Sequence, residues 1–182
     1  MAETHWNKLG AYLKETQILG SIQNTLYWDQ NTGMPKKGSS WRSEQLTYIA
    51  KALHKRNSSE KFLNLIQAAK NELSDTERNT DNKVYINEKN RNINLLLREF
   101  NREKNLDSKL VESLAKAKSQ GYESWQEAKK KSDFKIFLPF FEELIKLRIE
   151  EAKQISDQYS PWETLAQPFE PELTLKLSLI HI

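Results

Sequence analysis

Apolar residues recur every three or four positions along most of the chain, which is the spacing of amphipathic α-helices. The first run extends from Trp6 to Trp28 and is interrupted by Gly10 and Gly20, so it predicts one long helix or two in line. Later runs predict helices that begin near Ser40, Ser59, Ser74, Asp107, Pro139 and Pro161. No segment alternates apolar and polar residues as a half-buried strand does. We therefore expect an all-α fold, a mostly antiparallel array of about six to eight helices.

Capping residues indicate where several of these helices begin. Ser74-Asp75-Thr76-Glu77 and Ser160-Pro161-Trp162-Glu163 both fit the capping box, and Asp107 is a candidate N-cap. Within the helix after Asp107, Gly121 indicates either a close approach by a neighbouring backbone or a weak point. We interpret the run Lys129–Lys131, which ends that helix, as a solvated last turn rather than a phosphate-binding patch.

Composition and charge narrow the class of protein. The 182 residues are 37% hydrophobic and 29% charged, with a formal net charge of +3 and no cysteine. No apolar run approaches the roughly 20 residues of a membrane span. The N-terminus lacks the basic and apolar segments of a signal peptide. We therefore expect a cytoplasmic protein that binds neither a membrane nor nucleic acid, since nucleic-acid binders usually carry a larger, clustered positive charge.

A loop with unusual residues joins the first two predicted helices. Gly33, Pro35 and Gly38 indicate a non-helical turn within it. Asp29, just before the turn, could hydrogen-bond the loop backbone, pair with Arg42 across the turn, or remain an exposed carboxylate. We favour the pair with Arg42.

This stretch resembles the N-terminal signature of the carboxypeptidase Taq family of metal-dependent carboxypeptidases. The residues that carry the resemblance are Trp28, Asp29, Gln30, Thr32, Met34, Pro35, Gly38, Arg42, Gln45, Leu46, Leu53 and His54. Further matches follow at Trp125, Ala128, Asp133, Phe134, Phe137, Pro139, Trp162, Leu165, Phe169, Glu170 and Pro171. The resemblance implies that these signature residues are structural.

The resemblance also divides the chain. It assigns residues 1–174 to the N-terminal helical region of a larger helical metallopeptidase fold. Residues 175–182 depart from the family pattern and show no cap. Two interpretations are open, a truncated or artefactual reading frame and a frayed natural terminus, and we favour the first.

The family's chemistry, as the resemblance implies it, needs residues that this chain lacks. Family members remove C-terminal residues from peptides with broad specificity. They hold zinc or another divalent metal with H-E-x-x-H on a helix, in which two His one turn apart bind the ion and the Glu acts as general base. The chain contains only His5, His54 and His181, none four residues from another, and no His-Glu pair. We therefore predict no catalytic residue and no metal ligand here, and an inactive fragment of a homodimeric parent enzyme that acts on peptides.

Two other classes of function remain as alternatives. An independent helical interaction module could hold a protein partner with exposed Trp6, Trp41 and Trp162. A helical nucleic-acid binder would have only Lys36-Lys37 and the run Lys129–Lys131 in its support. Under the fragment interpretation, helices that lack their usual cover should expose an apolar face, and we expect self-association.

Overall fold

The computed structural model describes residues 4–77 and 83–180, and all regular structure in these residues is helical. The α-helices are α1 (His5–Thr32), α2 (Ser39–Asn57), α3 (Glu60–Glu77), α4 (Lys83–Glu103), α5 (Ser108–Lys131), α6 (Leu138–Ile155), α7 (Pro161–Ala166) and α8 (Leu175–Leu179). Two short 3-10 turns, Lys36–Gly38 and Phe134–Ile136, precede α2 and α6. The all-α prediction is confirmed.

The chain divides into two compact units. Unit 1 comprises Met1–Met34 and Tyr48–Lys104, and unit 2 comprises Pro35–Thr47 and Asn105–Ile182. The division passes through the loop after α1 and through α2, so the family-signature loop contributes residues to both units.

In unit 1, α3 packs against both α1 and α4. The core consists of apolar side chains at helical spacing, namely Leu9, Tyr12, Phe62, Ile66, Ala69, Leu73, Ile86, Ile93 and Phe100. The Phe62 ring stacks on Tyr12 at 5.4 Å between centroids and meets Phe100 edge-on at 6.3 Å. Aromatic pairs in these arrangements add to the free energy gained by burial.

Helix α1 is continuous, and its glycines do not divide it. A β-carbon at Gly10 or Gly20 would meet no atom within 4 Å, so neither glycine is required by close packing. The start of the helix is held from α3, where the Glu72 carboxylate accepts the backbone N–H groups of His5 at 3.2 Å and Trp6 at 2.9 Å. Because these N–H groups have no partner within the helix, Glu72 supplies hydrogen bonds that the helix cannot make itself.

The predicted capping box at Ser74–Glu77 is wrong. These residues continue α3, and the Ser74 hydroxyl donates to the carbonyl of Lys70, one turn earlier, at 3.2 Å. A serine inside a helix commonly satisfies its hydroxyl in this way. The next helix begins instead at Lys83.

In unit 2, α6 packs against both α5 and α7. Asp107 caps α5 by accepting the N–H of Lys109 at 3.1 Å, as predicted. The capping box of α7 is also confirmed, because Ser160 and Glu163 bond each other's backbone N–H at 3.3 and 3.2 Å. Pro161 occupies the first turn of α7, where its missing N–H costs no hydrogen bond.

Gly121 of α5 faces side chains rather than a neighbouring backbone. The nearest atoms to a β-carbon built there are Phe137 Cε2 and Phe140 Cβ, both at 3.9 Å. This is ordinary van der Waals distance, so the interpretation as a close backbone approach is wrong.

Helix α8, near the end of the described chain, is hydrogen-bonded to α7. The Thr174 side chain caps α8 by accepting the N–H of Leu177 at 3.2 Å, so the expectation that this segment has no cap is wrong. The Glu163 carboxylate also accepts the N–H of Leu175 at 2.8 Å. The assignment of residues 175–182 to a divergent tail stays a prediction, and His181 lies outside the residues that the structure describes.

Candidate functional site

The first part of the family signature closes α1 in unit 1. The carbonyl of Asp29 accepts the backbone N–H groups of Gly33 at 3.0 Å and Met34 at 2.9 Å, which ends the helix. Gln30 is buried, whereas Trp28 is 67% exposed. The pairing of Asp29 with Arg42 stays a prediction.

The second part of the signature lies in unit 2 and begins with the 3-10 turn. Pro35 precedes this turn, and its carbonyl accepts the N–H of Gly38 at 2.8 Å. Further along, in α2, Arg42 Nε donates to Gln45 Oε1 at 2.9 Å. Local hydrogen bonds therefore define the conformation of the turn and of the first turns of α2.

An ion pair joins this turn to α5. Lys36 Nζ lies 3.1 Å from Glu127 Oε2, and Lys131 Nζ lies 2.9 Å from Glu127 Oε1. Hydrogen bonds from Lys131 and Lys36 lower the pKa of Glu127 to about 2. The two ammonium groups share one carboxylate, which reduces the local positive charge that a nucleic-acid site would require.

The later signature residues Trp125, Asp133 and Phe134 lie in α5 and at the second 3-10 turn of unit 2. Asp133 caps the second 3-10 turn by accepting the N–H of Lys135 at 3.0 Å. Phe134 packs edge-on against Phe137 and Phe141, at 6.0 and 6.3 Å between centroids. Trp125 is 42% exposed, with the Lys129 ammonium 5.2 Å from its ring.

Glu170 and Pro171 lie in the exposed turn after α7. The N–H of Glu170 donates to the carbonyl of Ala166 at 3.0 Å, and the carbonyl of Glu170 accepts from Leu173 at 3.3 Å. The Gln167 side chain holds the following residues by accepting from the N–H of Glu172 and donating to the carbonyl of Leu173. The predicted structural role of the signature residues stays open to test by substitution.

The two described histidines do not offer a metal site. His54 is 5% exposed, and its Nδ1 lies 3.0 Å from Glu103 Oε2 in unit 1. His5 is the exposed first residue of α1. Across residues 4–77 and 83–180 there is no group of three His, Cys, Asp or Glu that could hold a metal ion. A catalytic zinc needs about three protein ligands, so the residues described do not fit the metal that the resemblance implies.

The sequence pattern of the carboxypeptidase Taq (M32) metallopeptidases matches residues 8–178. The chain belongs to this family. It is 27% identical over 152 residues to carboxypeptidase 1 of Bacillus subtilis, and 26% identical over 151 residues to thermostable carboxypeptidase 1 of Thermus thermophilus. These alignments cover 84% and 83% of this chain but only 28% of each relative.

Solved structures show the same fold. The crystal structure of BsuCP superimposes with a TM-score of 0.85 at 23% identity, covering 98% of this chain and 34% of that one. Trypanosoma cruzi metallocarboxypeptidase 1 superimposes with a TM-score of 0.67 at 25% identity, covering 94% of this chain and 33% of that one. The family prediction is confirmed, and the chain spans about a third of the length of these structures.

Sequence reasoning missed several contacts of the site. Glu127 precedes Lys131 by one helical turn, so the spacing alone could have indicated that pair. Lys36, the other partner of Glu127, is 91 residues away from it in sequence and leaves no local signal.

Within the described ranges, no helix is long and apolar enough to cross a membrane.

Proposed function

We propose that this chain forms part of the helical framework of a metal-dependent carboxypeptidase that removes C-terminal residues from peptides with broad specificity. The match of the family pattern to residues 8–178 carries this proposal. In it, the helices line the substrate groove and control access of the peptide. Zinc or another divalent metal, and the residues that bind it, belong to other parts of the family fold.

The positions of the histidines support the proposal that this chain supplies framework helices and that the metal ligands lie in other parts of the family fold. His54 is buried against Glu103, and H-E-x-x-H is absent from the sequence. A Zn²⁺-bound water is activated only where several ligands hold the ion and leave one position open. The chain alone should therefore be inactive. The cytoplasmic location, the homodimeric parent and the lack of nucleic-acid binding stay predictions.

The first experiment tests the chain by itself. The purified protein is incubated with a peptide and with zinc or cobalt, and released amino acids are followed by mass spectrometry. We expect no release above the metal-only blank. Metal-dependent release that a chelator abolishes would show that the chain has its own catalytic site, and would overturn this part of the proposal.

The second experiment tests the framework role in a chimera. This chain replaces the aligned segment of the Bacillus subtilis carboxypeptidase, and the chimera is assayed for metal-dependent release of C-terminal residues. A matched control carries Gln for the Glu of the H-E-x-x-H motif expected in the Bacillus portion. We expect activity in the chimera and none in the control. A folded, metal-loaded chimera without activity would contradict the framework role and favour an independent interaction module.

A further inference from the structure

Two hydroxyl groups of α2 are buried and have no hydrogen-bond partner among the described residues. They are Ser43 Oγ and Thr47 Oγ1. Ser43 as a whole is only 3% exposed. The two residues are one helical turn apart, so their side chains lie on the same side of α2, with about 5–6 Å between their β-carbons. Both residues belong to unit 2.

Hydroxyls elsewhere in the helices show how a helical hydroxyl is usually satisfied. Thr16, Thr25 and Thr32 in α1 and Ser74 in α3 each donate to the carbonyl one turn earlier, at 2.8 to 3.2 Å. The two hydroxyls of α2 do not use this bond. Because a buried hydroxyl without a partner costs free energy, their orientation points to a small polar ligand.

Helix α5 carries another buried oxygen atom with no partner among the described residues, Glu123 Oε1. Glu123 lies one turn before Glu127, whose Oε2 is 3.1 Å from Lys36 Nζ. Lys36 precedes the first residue of α2 by three positions, so this ion pair fixes the start of α2 beside α5. The segment Pro35–Thr47 and α5 both belong to unit 2. We therefore expect the side of α5 that carries Glu123 to face the first half of α2.

We propose that a buried water site lies between α2 and α5, in which ordered water joins the Ser43 and Thr47 hydroxyls to the Glu123 carboxylate. Water suits these groups because it donates to a carboxylate and can both donate to and accept from a hydroxyl. Buried water typically makes about three hydrogen bonds to groups that otherwise have no partner, and these side chains supply that number. The water adds a second link between α2 and α5, beside the ion pair of Lys36 with Glu127.

A divalent cation suits the same groups poorly. Ca²⁺ and Mg²⁺ take about six or more oxygen ligands, several of them usually from carboxylates or bound phosphates. The described residues hold no group of three His, Cys, Asp or Glu that could bind a metal ion. Glu123 is the one carboxylate assigned to this site, so water is the ligand that its chemistry favours.

Replacement of Ser43 distinguishes a hydroxyl that binds water from one that has no partner. Urea denaturation, followed by far-UV circular dichroism, measures the free energy of unfolding. We expect Ser43→Ala to raise the equilibrium constant of unfolding by about tenfold, because it removes a hydrogen bond that holds the water. If the hydroxyl has no partner, the variant should be at least as stable as the wild type, since an unpaired polar group is removed. That result would overturn the proposal.

The matched control is Ser113→Ala, which replaces an exposed serine inside α5. It makes the same change in helix propensity without removing a buried hydroxyl, so we expect it to be as stable as the wild type or slightly more stable. A loss as large as that of Ser43→Ala would show that the effect does not come from the buried site.

Double variants test whether the three groups share the same water. Thr47→Val removes the second hydroxyl at nearly constant shape, and Glu123→Met removes the carboxylate. Each should cost less stability in the Ser43→Ala background than in the wild type, because the water is already weakly held there. If Glu123→Met and Ser43→Ala are additive, the assignment of the α5 carboxylate to this site is wrong.

Magnetic relaxation dispersion of the water oxygen counts internal waters with long residence times. We expect the wild type to hold more of them than the double variant Ser43→Ala/Thr47→Val, whose fold is verified by far-UV circular dichroism. An equal number would overturn the proposal. Denaturation in sodium, potassium and choline chloride at equal ionic strength separates water from a monovalent cation. We expect the three salts to rank alike for wild type and double variant, and stabilisation by sodium or potassium in the wild type alone would assign the site to that cation and overturn the choice of water.

Discussion

The Arg56 side chain provides a quantitative test of how α2 is held against α1 in unit 1. Its guanidinium carbon lies 4.3 Å from the centroid of the Tyr12 ring. Its Nε donates to Thr16 Oγ1 at 3.0 Å, and its Nη2 donates to the Tyr12 carbonyl at 3.2 Å and to Glu15 Oε2 at 3.1 Å. One side chain thus makes a ring contact, two hydrogen bonds to α1 and one ion pair.

The expected effect of Arg56→Ala follows from these contacts. The cation–π contact contributes about 0.5–1 kcal/mol at a partly exposed site. The hydrogen bonds to Thr16 and to the Tyr12 carbonyl contribute about 1 kcal/mol each. Glu15 is 69% exposed, so its ion pair adds at most about 1 kcal/mol. We expect Arg56→Ala to lower the free energy of unfolding by about 3 kcal/mol.

Urea denaturation, followed by circular dichroism at 222 nm, measures this change. Arg56→Lys keeps a cation near the Tyr12 ring but loses the planar fork, so it should cost about half as much. Arg91→Ala removes an exposed arginine of α4 and should stay within about 0.5 kcal/mol of the wild type. Added salt screens the exposed ion pair with Glu15. It should therefore reduce the loss of stability caused by Arg56→Ala by no more than this ion pair contributes. If Arg56→Ala costs no more than Arg91→Ala, the reasoning from these contacts is refuted.

Three further changes have defined expectations. Gly20→Ala should stabilise the protein by about 0.5–1 kcal/mol in the same urea assay, because it improves helix propensity and the new methyl group meets no atom within 4 Å; a loss of stability would contradict the open environment. Glu127 should titrate with a pKa of about 2 when its side-chain carboxyl carbon is followed by NMR. Because this pKa is lowered, the contribution of Glu127 to the free energy of unfolding is present above the ordinary value of 4.5 and is lost as the pH falls through about 2. Glu127→Gln should remove this part of the pH dependence of stability. Hydrogen bonds from the backbone of Leu175 and then from Ser160 lower the pKa of Glu163, so Glu163→Gln should speed amide hydrogen exchange at Leu175 at neutral pH; unchanged exchange would show that the carboxylate does not hold α8.

Helix boundaries could be predicted from sequence where packing elsewhere in the helix did not override the local capping residues. At Ser160, Pro161 fixes the start of α7, so the serine and Glu163 form the box that their spacing indicates. Ser74 belongs to the same sequence pattern but lies inside α3, whose buried face extends as far as Leu73. A capping box is a property of a few neighbouring residues, and packing along the rest of the helix decides whether the chain uses it.

Contacts between distant residues could not be predicted. Arg56 and Tyr12 are 44 positions apart, and no periodicity relates them. The same holds for Lys36 and Glu127, although both positions lie in segments that the sequence correctly assigned to a turn and a helix. Local patterns therefore predicted most of the elements, while the ion pairs and rings that join them required the folded arrangement.

His54 shows why membership of a metallopeptidase family does not by itself locate metal chemistry. It belongs to the signature that carries the resemblance, and histidine is a common zinc ligand. The structure places its ring in a buried position, 5% exposed, with Nδ1 3.0 Å from the Glu103 carboxylate. No other histidine or acidic group joins the pair to complete a metal site among the residues described. The pair joins the last turn of α2 to the last residue of α4. We therefore expect this signature histidine to stabilise the helical framework, and the catalytic residues of the proposed enzyme to come from elsewhere in the family fold.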